Sequence, residues 1–390
     1  MIIKMINNII IFIHNQIKNR SFIMKSKILK NMDWGVLVCS ILLFIIGLIA
    51  LFSTTGNSGH DEFIKQLIFF GISIPFLIAA TMINYDTITK FSPFMYGVFI
   101  FLLIIVLFTE PISGARSWFD IKFFSFQPSE FAKIATILFM TYTLNIVQAK
   151  GKKEINKPHK LALVLLIAIV PIFLIILEPD YGTATAYIFA MLFIIFAAGI
   201  NKKYIFGAIL LIAILAPIIY SNLPPHALSR LEIFLNPESD PRGAGYNVIQ
   251  SKLAIGAGGL FGMGLFQGNQ TQLGYLHPKT TDFIFSAIGE EMGFIISAAI
   301  IILYVVLITK AIFIAKTAKD NIGSYIAIGI AGIFCFHMIE NIGMAMGLLP
   351  ITGVPLPFVS YGGSSLLTNF ICIGLLLNIS SRRQKAIFIE

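Results

Sequence analysis

Charge is what this 390-residue chain has least of: Asp, Glu, Lys and Arg together make up 12% of it. Hydrophobic residues reach 57% and the mean hydropathy is +0.87, well outside the composition of a water-soluble domain. Cysteine is also scarce. Cys39, Cys335 and Cys372 all fall inside apolar runs, so a disulfide framework, a cysteine-built metal site and redox chemistry have no support. The six histidines, at 14, 60, 159, 226, 277 and 337, form no paired motif. Neither an HExxH zinc signature nor a GxxxxGK[ST] phosphate loop occurs. With zinc hydrolysis and ATP drive unsupported, the energy for any reaction has to arrive in the substrate.

What the chain has in quantity is apolar runs of about 18 residues, enough to cross a hydrocarbon core as helix. Ten are predicted as spans: Gly35–Phe52, Phe63–Ile83, Phe91–Phe108, Ser129–Val147, Leu161–Leu177, Thr183–Ile200, Tyr204–Ser221, Phe283–Ile308, Ile322–Leu348 and Ser360–Ile379. A barrel needs alternation that these solid runs lack. The fold class expected is therefore an all-α, polytopic integral membrane protein. Most of the 28 basic residues fall in segments on one side, as at Lys150, Lys152, Lys153, Lys157, Lys202 and Lys203. By the positive-inside rule that side is cytoplasmic, both termini lie there, and the net charge of +9 reflects topology rather than nucleic acid. Residues 1–33 read as a cytoplasmic segment, either a basic amphipathic stretch on the inner surface or a dispensable extension with translation starting at Met24. Residues 34–383 form the membrane domain and 384–390 a cytoplasmic tail.

The polar interruptions sit on the outer side. After the third span comes GARSWFDIKFFSFQPSEFAK, with Arg116 near the interface and Glu130 and Lys133 three residues apart at the head of the next span. That spacing places the two on one helix face, where they can pair. Charged groups inside spans are costly and usually mark a site. The fifth span ends in EPDYGTA, where Glu178 and Asp180 flank a proline break. They can coordinate a cation, orient a hydroxyl or answer Lys133 and Arg116. Between the seventh and eighth spans lies an outer loop, 222–282, too long for a mere connector. Its glycines permit close backbone approach, Arg242 and Lys252 add charge, and its apolar residues suggest a segment that packs or re-enters. At its end Thr281 or Asp282 can cap the following helix; the alternative for Asp282 is a shielded carboxylate acting as a base. Farther on, His337, Glu340 and Asn341 interrupt an apolar span. LLPITGVPLPFVSYGGSS then reads as a rigid turn, with packing favoured over substrate contact.

Together GARSWFDI with QPSEFAK, EPDYGTA, GAGYNVIQSKLAIGAGGLFGMG, TDFIFSAIGEEMG and LLPITGVPLPFVSYGGSS resemble the SEDS family (shape, elongation, division and sporulation) over about Trp34 to Arg383. QSKLAIG followed by GNQTQL is more similar to the elongation member than to the division member. The resemblance implies a peptidoglycan glycosyltransferase. Such an enzyme polymerises lipid II at the outer face of the bacterial cytoplasmic membrane, beside a class B penicillin-binding protein and other elongation-complex proteins. It implies Asp282 as the essential acid and matches Arg116, Glu130, Lys133 and Asp180 to family positions; these, with Gln250 and Lys252 of the loop, are the substrate-binding positions expected, Lys133 and Arg116 as stabilisers of the diphosphate. Undecaprenyl diphosphate is the leaving group, so no ATP motif is needed. No cofactor is certain; a divalent cation near Asp180 or Glu178 is possible chemistry. The competing readings are a lipid II flippase, which needs substrate contacts on both membrane faces, and a scaffold that only recruits the cross-linking partner.

Overall fold

The computed structural model describes residues 31–56, 59–111, 114–121, 124–221, 228, 232–241 and 243–383. The expectations for residues 1–30, Arg242, much of 222–231 and the tail lie outside the described residues. Ten helices follow the ten apolar runs: α1 (Trp34–Thr54), α2 (Asp61–Met82), α3 (Tyr85–Val106), α4 (Pro128–Val147), α5 (Pro158–Leu177), α6 (Tyr181–Ala197), α7 (Lys202–Ser221), α9 (Ile284–Thr317), α10 (Asn321–Ala345) and α11 (Gly363–Ser381). Inside the long loop lie α8 (Ala244–Ala257) and a single helical turn at Asn269–Gln272. Eight of them, α1 to α5 and α9 to α11, are long and apolar enough to cross a membrane. The short antiparallel hairpin of β1 (Phe119–Ile121) and β2 (Phe124–Phe126) precedes α4, with Phe119 opposite Phe126.

Two helices extend past the predicted runs for one reason. α3 begins at Tyr85 rather than Phe91, with Asn84 accepting from the Asp86 amide and Lys90 paired to Asp86 at 2.7 Å. α9 continues past Ile308 to Thr317, and its Lys310 reaches Asp33 at 2.9 Å. A charged side chain, Lys90 in one helix and Lys310 in the other, ends the uninterrupted apolar run, while the backbone ladder continues past it.

Burial is uneven. α4, α10 and α11 form the centre, with 72% of their most apolar windows buried, whereas α2 and α3 bury 17%. One end of the bundle is laced by Lys310–Asp33, by Tyr85 donating to Asp320 at 2.8 Å, and by Asn378 donating to the Ala80 carbonyl at 2.6 Å. Chain alternation brings the hairpin, the α5–α6 turn, the long loop and the α10–α11 segment to the opposite end.

The long loop is built, not slack. α8 packs on α9 and α10 through Ser251, whose Oγ lies 2.6 Å from Ser286 Oγ and donates to the Ala345 carbonyl at 2.6 Å. α9 breaks at Gly293, whose φ of 78° is a left-handed backbone that glycine adopts without penalty. The loop crosses that break. Met263 and Gly264 amides donate to the Glu290 and Glu291 carbonyls at 2.9 and 3.0 Å, and the Phe294 amide donates to Gly259. Backbone groups freed by the break are thereby satisfied. Glu290, fully buried, accepts from the Gln270 and Thr271 amides and from Thr271 Oγ1, and Glu291 accepts from Gln272 Nε2. The two glutamates, to which the sequence patterns assigned no role, anchor the loop.

The fit has a measurable consequence. A Cβ on Gly258 would sit 1.9 Å from the Gly289 carbonyl oxygen, whereas one on Gly256 meets nothing within 4 Å. Gly258→Ala is expected to destabilise the detergent-solubilised protein by about 1–3 kcal/mol. Gly256→Ala, inside α8, is expected to be neutral or stabilising by up to ~1 kcal/mol. Thermal unfolding followed on the two variants checks the opposite signs.

Candidate functional site

The site starts at the head of α4. Pro128 occupies the first helical turn, where its missing N–H costs nothing, and places Glu130 and Lys133 in successive turns. The predicted pair forms: Lys133 Nζ donates to Glu130 Oε1 at 3.0 Å, with both residues 2% exposed. Glu130 Oε2 accepts from Thr368 Oγ1 of α11 at 3.0 Å. Lys133 Nζ also lies 3.3 Å from His337 Nε2 of α10, and His337 Nδ1 lies 3.0 Å from the Pro355 carbonyl. A carbonyl only accepts, so Nδ1 carries the hydrogen and Nε2 offers its lone pair to the ammonium. Three helices thus share one buried charged network.

Asp180 caps α6, its Oδ1 accepting from the Thr183 amide at 3.0 Å and its Oδ2 from Gln127 Nε2 at 3.3 Å. Burial raises its carboxyl above the ordinary aspartate value, against the bonds from Thr183. Glu340 on α10, 7% exposed, accepts from Thr352 Oγ1 at 2.8 Å. Gly182 packs against Thr352 and Val354 with no room for a side chain.

Asp282 lies in the turn Pro278–Phe283, closed by the Phe283 amide donating to the Pro278 carbonyl at 3.2 Å. The capping position of α9 falls to Phe283, whose side chain makes no capping bond. Thr281 and Asp282, the two residues proposed as the cap, precede that position by two and one residues. The Asp282 carboxylate faces Gly353, where a Cβ would stand 3.5 Å from Oδ2. Segment 349–362 consequently touches Asp282, Glu340, His337 and Gly182 at once. Its packing role is what gathers the site.

The other predicted residues stand farther out. Arg116 is exposed, with Nη1 donating to the Leu107 carbonyl at 3.2 Å, and joins none of the buried pairs. Lys252 is exposed on α8 with its ammonium over Gly347, and it lines a recess with Asn236, Glu238 and Leu253. Gln250, its neighbour on α8, is part-exposed. Sequence reasoning assigned no partner to His337, Asn341 or Thr368. The signal was present for two of them: 337 and 341 are four apart and share one face of α10. Among the described residues no three His, Cys, Asp or Glu side chains converge. A divalent cation here would take most of its oxygen ligands from phosphate and water.

Glu178, beyond the end of α5, is fully buried and its two carboxylate oxygens have no hydrogen-bond partner within 3.5 Å among the described residues. Burial is the main cause that pushes its pKa up to about 8, with Asp180 adding to the rise and nearby Ser117 opposing it. A carboxyl raised in the folded state binds more protons there than when unfolded, so stability falls with rising pH between about 4.5 and 8. Glu178→Gln is expected to flatten that fall and to raise the unfolding midpoint at pH 8 by about 2–4 °C. Melting curves of both proteins from pH 5 to 9 check it.

Comparison with known proteins agrees with this fold. A family model described as a cell cycle protein, covering FtsW, RodA and SpoVE, matches residues 33–385. The peptidoglycan glycosyltransferase RodA of Treponema pallidum (strain Nichols) is 31% identical over 92% of this chain and 100% of its own. Stage V sporulation protein E of Bacillus subtilis (strain 168) is 36% identical over 89% of this chain and 96% of its own. Among solved structures, a chain from a peptidoglycan synthase complex, studied for the coordination of polymerisation and crosslinking, superposes with a TM-score of 0.78. It is 26% identical and covers 90% of this chain and 97% of its own.

Proposed function

Because the chain belongs to the SEDS family of FtsW, RodA and SpoVE, and is thereby a peptidoglycan glycosyltransferase, we propose that it polymerises lipid II at the outer face of the cytoplasmic membrane during cell elongation. The end laced by Lys310 and Asp33 then faces the cytoplasm, the side to which the placement of basic residues assigns both termini. The observation that carries the reading is the gathering of Asp282, Glu340, His337 and the Glu130–Lys133 pair around segment 349–362 at one end of the bundle. The elongation assignment rests on the likeness to RodA and on the QSKLAIG and GNQTQL motifs. The likeness to a chain of a complex that polymerises and crosslinks supports a class B penicillin-binding protein as partner.

In this reading Asp282 accepts the proton of the acceptor sugar hydroxyl as its oxygen attacks the anomeric carbon of the donor. The bond from that carbon to the diphosphate oxygen breaks, and undecaprenyl diphosphate departs with the electron pair. One displacement inverts the anomeric centre. Arg116 and Lys252, exposed at the site end, offset the charge that develops on the diphosphate. Gln250 binds sugar or peptide beside them. Lys133, 2% exposed, acts from below by fixing Glu130 and His337 and by lending positive field beneath Asp180.

The test uses the full chain purified with its cross-linking partner and labelled lipid II. Glycan strands support the transferase. Transfer of lipid II across vesicle membranes without strands would replace it by the flippase, and neither activity would leave the scaffold.

A further inference from the structure

Asp282 sits in a turn whose carbonyls are taken up by a single surface. The Thr280 carbonyl accepts from the Tyr361 amide at 2.9 Å. The Thr281 carbonyl accepts from Ser360 Oγ at 2.6 Å. The Asp282 carbonyl accepts from Asn341 Nδ2 at 2.9 Å, and the second hydrogen of that amide goes to the Val354 carbonyl at 2.8 Å. Three consecutive carbonyls are thus fixed from α10 and segment 349–362.

The donors are themselves held. Ser360 Oγ also accepts from the Leu356 amide at 2.9 Å, and Gln66 of α2 donates to the Ser360 carbonyl and accepts from the Gly362 amide. Asn341 is fully buried, and its Oδ1 has no hydrogen-bond partner within 3.5 Å among the described residues. A buried amide with one idle acceptor carries a desolvation cost. Packing alone is served better by leucine. What Asn341 supplies that an apolar side chain cannot is one donor group bonding two backbone carbonyls, Asp282 on one side and Val354 on the other. Gly353, which faces the Asp282 carboxylate, directly precedes Val354. The same amide therefore sets the height of the base and the distance of the wall in front of it.

We propose that Asn341 is a positioning residue for Asp282, holding the carboxylate at its reacting distance by tying the Asp282 and Val354 carbonyls together, with Ser360 as the second support. The inference rests on the transferase reading of Asp282. A displacement of about 1 Å in a reacting group costs on the order of 100-fold in rate, with little change in ground-state binding. The role predicts a loss in kcat and not in KM.

The experiment measures strand synthesis from labelled lipid II by the full chain with its cross-linking partner, comparing native protein, Asp282→Asn, Asn341→Ala, Asn341→Gln and Ser360→Ala. Lipid II binding and thermal unfolding are followed on each. Native activity lost in Asp282→Asn establishes the premise, and a premise that fails there fails separately from the inference. Given that premise, Asn341→Ala is expected to lower kcat by roughly 100-fold with KM within about threefold of native. Asn341→Gln, which keeps the donors, is expected to recover at least about tenfold of the loss. Native kcat in Asn341→Ala, a loss carried by KM, or no recovery with Gln overturns the inference. Where Asn341→Ala does not insert stably, Ser360→Ala decides: a drop in kcat of about tenfold at unchanged KM supports the clamp, and native kcat overturns it.

Discussion

Asp282→Asn is expected to slow strand synthesis by roughly 100- to 10,000-fold, the usual worth of a positioned base, while lipid II binding stays within about threefold of native. Asparagine keeps the size of the side chain and leaves the backbone bonds of the 280–282 carbonyls untouched. It removes the capacity to take a proton. Asp282→Glu sharpens the test. It retains a carboxylate but extends it toward Gly353, so activity is expected to fall by about 100-fold through misplacement alone. Equal strand synthesis by native and Asp282→Asn proteins at matched insertion would assign the proton transfer to another group.

The fold was legible wherever apolar length alone decides it. Ten runs gave ten helices, because a chain in lipid has to satisfy its backbone within each segment. Helix ends were less legible: Tyr85 to Lys90 and Lys310 to Thr317 are helical, but a lysine, Lys90 in one and Lys310 in the other, interrupts the apolar run at the boundary. The Glu130–Lys133 pair followed from i,i+3 spacing, a local rule. His337 and Thr368, which complete that network, lie 204 and 238 residues from their partners. No spacing rule reaches that far. Glu290 and Glu291 were hidden for a different reason. Their function depends on a helix break at Gly293, and a single glycine in an apolar run does not announce whether the helix continues. The prolines and glycines of 349–362 announce a rigid packed turn, but not that it packs against Asp282, Glu340, His337 and Gly182 at once.

Lys133→Met is expected to destabilise the protein by about 3–5 kcal/mol, since it leaves the Glu130 carboxylate in the centre of the bundle with Thr368 Oγ1 still donating to it but no cation beside it. Glu130→Gln is expected to cost less. The glutamine oxygen still accepts from the Lys133 ammonium, and His337 Nε2 continues to share that charge. The informative variant is the double one. In Glu130→Gln with Lys133→Met no charge is left unpaired at the pair, and buried ion pairs replaced together by groups of similar volume are often neutral in stability. Unfolding midpoints near native are therefore expected for the double variant, below native for Lys133→Met. Strand synthesis separates the two meanings of the pair. A pair that exists only to make a polar helix head tolerable would let the stable double variant polymerise at the native rate. The proposed role requires more of it, because Lys133 fixes His337, His337 fixes the Pro355 carbonyl, and Pro355 lies two residues from the Gly353 that faces Asp282. The double variant is thus expected to be folded and at least about tenfold slower, which a stability effect cannot produce in a protein that melts as the native one does.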